Sequence, residues 1–290
     1  MSIPGFTSDS ATFNGIEIGW SIGGEGPPLL LLHGFPQTRA LWAEIAPEMA
    51  KTHTVICPDL RGYGESGKPN NVSAYSFRAM AQDQTDLIDH LGFERFAVIG
   101  HDRGGRVAHR LCLDAPKRVS RICLMDIIPT HTLLIELHKD IAEAYYHWFF
   151  LAQPQPFPER MIGADPDHYF ESCLLGWGSA RLEDFDADQL EAYRKAWRDP
   201  KTIRGMCNDY RAALIHDFED DTKDLCLKIT CPALILYGAD GIMGRYYDLE
   251  KIWDAKCTNM TSLPISGGHF FIDTNASDTI SALKSFMLQR

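Results

Sequence analysis

Between Val98 and Arg110 the chain reads VIGHDRGGRVAHR. An apolar run, Phe96 to Gly100, passes into a helical pattern over Arg103 to Ala115, and glycines crowd the junction. Gly100-His101-Asp102-Arg103-Gly104 places small residues two positions either side of Asp102. A sharp strand-to-helix turn that presents a nucleophile needs this, because larger side chains would collide across the turn. Serine is the usual tip residue of such an elbow; here it is aspartate. A carboxylate is already ionised at neutral pH. It attacks amides poorly, but it can displace a leaving group from an sp³ carbon and become an ester of the enzyme itself. Water must then attack the carbonyl carbon of that ester, with a base to activate it and N–H donors to hold the oxyanion. Alkyl halides and epoxides are the substrates such chemistry suits.

The other parts of such a machine are present in order. GGHFF puts His269 in a loop after the last strand pattern, where a base would sit. HGFP, after the third strand pattern, offers the Phe35 backbone N–H for an oxyanion hole, and Arg103 would supply the second N–H. Two carboxylates could orient His269. Asp126 ends the strand pattern Ser120 to Met125, and Asp240 follows the one ending Tyr237-Gly238. The residues alone leave both open. An elbow pattern by itself could equally be a tight turn with a capping Asp. Its agreement with HGFP, GYGES and GGHF in register on one αβ pattern favours the catalytic reading.

Arg103 and Arg106 lie three apart on the elbow helix, so they share a face. Beside a helix N-terminus they make a strongly positive spot. Guanidiniums bind carboxylates by paired hydrogen bonds, which points to a small anionic substrate with its leaving group on the adjacent carbon. The alternative is a structural role, neutralising Asp102 and nearby acids.

Strand and helix patterns alternate in the first half, the sign of a mostly parallel sheet covered on both faces, an α/β fold. Thr12 to Ser21 reads as a hairpin turning at Asn14-Gly15. Leu29 to Leu32 and Thr52 to Cys57 read as buried strands. From Ile128 to Leu214 no strand pattern occurs; the segment is aromatic, helical in spacing and broken by prolines. This predicts a core in two parts, residues 1–127 and 215–290, with a helical cap over 128–214. Sheet patterns resume at Pro232 to Tyr237 and Met260 to Pro264, and a helix over Asp278 to Met287 closes the chain.

The 290 residues carry a net charge of −11 with no basic run. That argues against nucleic acid or an anionic membrane as partner, and makes a local arginine pair conspicuous. The N-terminal segment has neither the basic nor the apolar part of a secretory signal, and no apolar run is long enough to span a bilayer. Eight scattered cysteines without metal-like spacing read as reduced thiols of a cytoplasmic protein, with no metal site.

Together, GHDRGGR, the DIIPT segment that begins at Asp126, Tyr145-x-His147-Trp148-x-Phe150-Leu151, Cys207-x-Asp209-Tyr210-Arg211-Ala212 and GGHFF resemble the fluoroacetate (haloacetate) dehalogenases of the α/β-hydrolase fold, over nearly the whole chain. The resemblance implies Asp102 as nucleophile, His269 as base, Asp126 rather than Asp240 as the acid, and Arg103 with Arg106 as a carboxylate clamp. It also implies His147, Trp148 and Tyr210 as halide-binding donors, no cofactor, and a homodimer. Three N–H or O–H donors suit a departing fluoride, whose hydration must be replaced in advance. Tyr145, Tyr146, Phe149 and Phe150 read as packing residues, and Trp177 could line the same pocket. The nearest competing reading is an epoxide hydrolase, which shares the nucleophile and base. Arg103 directly after the nucleophile fits a neutral epoxide badly, because an unpaired buried charge is costly. A non-catalytic ligand-binding member of the fold is a second alternative.

Overall fold

A computed structural model describes residues 3–178 and 180–288. Eight strands form one sheet: β1 (Thr7–Phe13), β2 (Ile16–Gly23), β3 (Pro28–Leu32), β4 (Thr54–Pro58), β5 (Phe96–His101), β6 (Val119–Met125), β7 (Ala233–Gly238) and β8 (Met260–Ile265). Their order is β1-β2-β4-β3-β5-β6-β7-β8. β1 and β2 are an antiparallel hairpin, turned at Asn14 and Gly15, both at positive φ. β2 meets β4 antiparallel, and every pairing from β4 to β8 is parallel. Parallel strands are covered on both faces, and β5, at the centre, is buried at every residue.

Two apolar clusters sandwich the sheet. Residues alternate between them along each strand: in β3, Leu30 and Leu32 face one layer while Leu29 and Leu31 face the other. On the second face, a 3₁₀ turn, Arg39–Trp42, is followed by a short helix, Ile45–Met49.

Between β6 and β7 the described residues form helices joined by loops, with no strand. Helices run from Thr130–Ile135 to Phe218–Lys223, so the helical segment continues past Leu214, through a π-helical turn at Ala213–Asp217. Three of its prolines, Pro158, Pro166 and Pro200, lie in the first turns of helices instead of breaking them. Pro166 and Pro200 occupy first-turn positions behind Asp165 and Asp199, whose side chains accept from His168 N–H and Lys201 N–H. The helix Ala187–Trp197 is fixed to the core by Gln189 Nε2, which donates to Ala40 O at 3.1 Å. No helix among the described residues is long and apolar enough to cross a membrane.

Candidate active site

β5 ends at His101, and the helix Asp102–Asp114 begins at the next residue with no connecting loop. Asp102 therefore takes φ +47°, a conformation few side chains tolerate. Glycines make the turn possible. A Cβ on Gly104 would lie 2.3 Å from Leu32 O, and one on Gly34 would lie 2.5 Å from Asp102 Cβ. The elbow is thus pressed against the end of β3 and the HGFP loop, which brings the Phe35 N–H to donate to Asp102 Oδ1 at 2.8 Å. Phe35 is one of the two backbone donors expected for the oxyanion, and its N–H already meets the carboxylate.

His269 arrives from the loop after β8. Its Nδ1 lies 2.5 Å from Asp126 Oδ2. Asp126, at the end of β6, has φ +51°, which turns its side chain toward the histidine, and its Oδ1 accepts from Gly238 N–H at 2.9 Å. Asp240 is exposed and lies outside this contact. With Nδ1–H committed to Asp126, Nε2 is left to carry the lone pair. It is buried without a protein partner and stands 3.9 Å from Asp102 Oδ2.

Burial works against ionised Asp102, but His269, His101, Arg103 and the Phe35 N–H outweigh it and hold its pKa below the usual carboxylate value. Burial lowers the pKa of His269, while the hydrogen bond and charge of Asp126 raise it further, so the net shift is upward.

The two arginines differ. Arg103 is fully buried, and its Nε donates to Asp209 Oδ2 at 3.0 Å while Nη2 pairs with Oδ1. Tyr63 O–H donates to the same Oδ2 at 2.6 Å. The expectation that both guanidiniums offer a free fork is corrected here: Asp209 occupies the fork of Arg103, leaving only Nη1 unpaired. Arg106 donates through Nη1 to Ile128 O at 2.9 Å and Thr130 Oγ1 at 3.0 Å. Its Nε is buried and unpaired, and no carboxylate lies within salt-bridge distance among the described residues. Burial, and then the neighbouring Arg103, lower its pKa to about 10.

Helices between β6 and β7 pack against these groups. Tyr210, next to Asp209 on the helix Pro200–Ala212, stands edge-on to Phe35, with ring centroids 5.2 Å apart, and to His147, at 5.4 Å. The Arg103 guanidinium lies 4.3 Å over its face. Trp148 contacts both arginines, with Arg106 4.7 Å and Arg103 5.1 Å from its ring. His147 stacks on Phe35 at 5.8 Å, and Trp177 bridges from His147, at 4.2 Å, to His269, at 5.4 Å. Burial holds His147 well below its usual pKa, hence neutral, and holds the Tyr210 phenol well above, hence protonated.

Six buried atoms around Asp102 lack a hydrogen-bond partner: Arg103 Nη1, Arg106 Nε, His147 Nδ1, Tyr145 Oη, Tyr210 Oη and His269 Nε2. Buried polar groups are otherwise almost always paired, so this concentration marks a place built for a ligand rather than for stability. Two residues of the site depart from the sequence reading. Asp209, which fixes Arg103, was absent from the candidates, although it adjoins Tyr210. Tyr145, read as packing, does stack on Trp177 at 5.9 Å, yet its hydroxyl is one of the unpaired six. Tyr146 is 47% exposed and does not pack in the core. No cluster of three metal-ligating side chains occurs among the described residues.

A profile of the alpha/beta hydrolase fold matches residues 27–276. The chain is 48% identical to a fluoroacetate dehalogenase of a Burkholderia species, over 98% of this chain and 94% of that protein. A soluble epoxide hydrolase of a Corynebacterium strain is 31% identical over 97% of both chains. An alpha/beta hydrolase of Nostoc superimposes with TM-score 0.96 at 42% identity, covering 98% of this chain and 99% of that one. The chain belongs to the alpha/beta-hydrolase family and, within it, to the branch of the fluoroacetate dehalogenases.

Proposed function

We propose that the protein hydrolyses short 2-haloacids, haloacetate to glycolate and halide, through an ester on Asp102. The observation that carries this reading is the pairing, in one buried site, of an ionised carboxylate with two guanidinium N–H groups that no protein acceptor uses. A substrate carboxylate completes Arg106 Nε and Arg103 Nη1, and in doing so supplies the negative charge that Arg106 lacks. This fixes the α-carbon in front of the nucleophile.

The two oxygens of Asp102 have separate tasks. Oδ1 is held by the Phe35 N–H, so Oδ2 attacks the α-carbon and Oδ1 becomes the carbonyl oxygen of the ester. The halide leaves on the far side, toward Tyr210, His147 and Trp148. Water then attacks the ester carbonyl carbon while His269 Nε2 takes its proton. Charge develops on Oδ1, where the Phe35 N–H already points. Asp126 keeps the proton on Nδ1 and stabilises the imidazolium. Displacement inverts a stereogenic α-carbon.

The test is halide release and glycolate formation from fluoroacetate and chloroacetate, with Asp102→Ala alongside. Release by the native protein alone supports the assignment. A folded protein that releases neither halide is not a haloacetate dehalogenase.

A further inference from the structure

We infer that the same site opens 2,3-epoxy carboxylates at the carbon that bears the carboxylate, with oxirane-2-carboxylate (glycidate) the smallest substrate and glycerate its product. The inference rests on the reading above, since it uses the same nucleophile and anion clamp. It extends that reading from halide displacement to ring opening.

A neutral epoxide is unsuited to this site because it leaves Arg106 buried without a counter-charge. An epoxy acid removes the objection. Its carboxylate meets Arg106 Nε and Arg103 Nη1, and its C2 occupies the place of the haloacetate α-carbon. The ring oxygen on C2 then points where a halide would leave. Halide and epoxide oxygen differ in one respect: an alkoxide is far too basic to depart without a proton. Tyr210 supplies one. Its hydroxyl is buried and unpaired, and the Arg103 guanidinium 4.3 Å over its ring stabilises the phenolate that forms. His147 Nδ1, also unpaired, is a second polar atom facing the same space.

The balance is complete without a co-reactant other than water. Asp102 Oδ2 forms a bond to C2, the C2–O bond breaks, and its electron pair stays on the oxygen attached to C3. Tyr210 protonates that oxygen. Water, deprotonated by His269, attacks the Asp102 carbonyl carbon, and the histidine returns the proton to the oxygen on C2 as the ester cleaves. The carboxyl proton left on Asp102 restores Tyr210. Glycidate plus water becomes glycerate.

The experiment presents the native protein with glycidate, with glycidol, its uncharged counterpart, and with chloroacetate as a control. Glycerate is expected from glycidate. Over many turnovers in ¹⁸O-water the label should enter at C2, and kcat/KM for glycidol should be lower by about 100-fold or more, as for loss of a buried charge partner. Tyr210→Phe should depress glycidate turnover by about 100-fold, the usual loss on removing a general acid, and chloroacetate turnover by a smaller factor, because chloride needs no proton. Chloride release without glycerate overturns the epoxy-acid inference and leaves the dehalogenase reading standing. Failure on both substrates by a cooperatively folded protein overturns both. Glycidol hydrolysed as well as glycidate, label at C3, or equal losses for the two substrates in Tyr210→Phe would each overturn the mechanism argued here.

Discussion

At the residue scale, the division of labour among four carboxylates is set by position. Asp102 is strained, ionised and faces His269 through Oδ2; Asp126 is buried against His269; Asp209 is held by Arg103; Asp240 faces solvent. Only Asp126 can fix the tautomer of His269. Asp126→Asn should therefore lower turnover of haloacetate by about 10³-fold or more, as when a buried orienting carboxylate is lost from a triad, whereas Asp240→Asn should change it less than about two-fold. Steady-state halide release from the two variants decides the matter. The pH profile follows from two groups. His269 must be neutral to accept a proton, and Asp126 holds its pKa above the ordinary imidazole value, so kcat should fall as pH drops through that raised pKa. Arg106 must be charged to hold the substrate, so KM should rise as pH passes about 10. Asp102, held below the usual range, adds no limb near neutrality. Asp102, His269 and the arginines were legible because a sharp elbow and its loops demand particular residues at fixed spacings. The choice between Asp126 and Asp240 was not, because both follow strands that neighbour each other in the sheet, and only the backbone at φ +51° and the contact with His269 separate them. Asp209 was hidden by its distance of 106 positions from Arg103.

At the element scale, the site depends on joints between the sheet's loops and the helices that follow β6. One joint is a chain of buried side chains. His269 O contacts His101 Nε2 at 3.0 Å; His101 Nδ1 meets Gln37 Oε1 at 3.3 Å; Gln37 Nε2 donates to Asp273 Oδ2 at 2.6 Å. Tyr193, on the helix Ala187–Trp197, donates to Asp273 Oδ1 at 2.8 Å. The segment carrying His269 is thereby tied to that helix. Burial raises the Asp273 pKa to about 7 despite those two donors, from 3.8 in the unfolded chain. Between those values the folded protein holds a proton that the unfolded chain has released. The contribution of Asp273 to stability is therefore full below about 3.8 and is lost as pH rises through about 7. Urea denaturation at pH 5 and pH 8 should show a loss in the native protein that Asp273→Asn reduces; an equal loss in both would mean that the joint does not titrate. The helical content of the cap could be read from spacing, but its helix starts could not be separated from its breaks. Proline gives the same signal in both roles until the capping Asp before it is seen to engage the next turn.

At the scale of the whole molecule, the sheet and its loops contribute Asp102, His269 and two cations, while the helices between β6 and β7 contribute the neutral donors and the anion that balances Arg103. Neither part satisfies its own buried groups. The unpaired atoms at their junction are a cost to the unliganded protein, of about 1–3 kcal/mol for each group left without a partner. A ligand that pairs them should stabilise the fold as a whole, not the site alone. The prediction is best made with Asp102→Asn, which cannot form the ester but retains Arg103, Arg106 and the cap donors. Chloroacetate at about 100 times its Kd should raise the unfolding free energy of that variant by about 2.7 kcal/mol, following mass action, with a corresponding rise in Tm. Acetamide, of similar size but uncharged, should raise it little at the same concentration. Adding Arg106→Ala should abolish the chloroacetate effect, because Arg106 is the cation with no protein counter-charge. If chloroacetate still stabilises the double variant, the anion is bound elsewhere, and the arginine pair serves the packing of cap on core instead of the substrate. The net charge of −11 sharpens the comparison. A protein this acidic repels small anions in general, so an anion-specific gain in stability that depends on one buried arginine reports on the site and not on the surface.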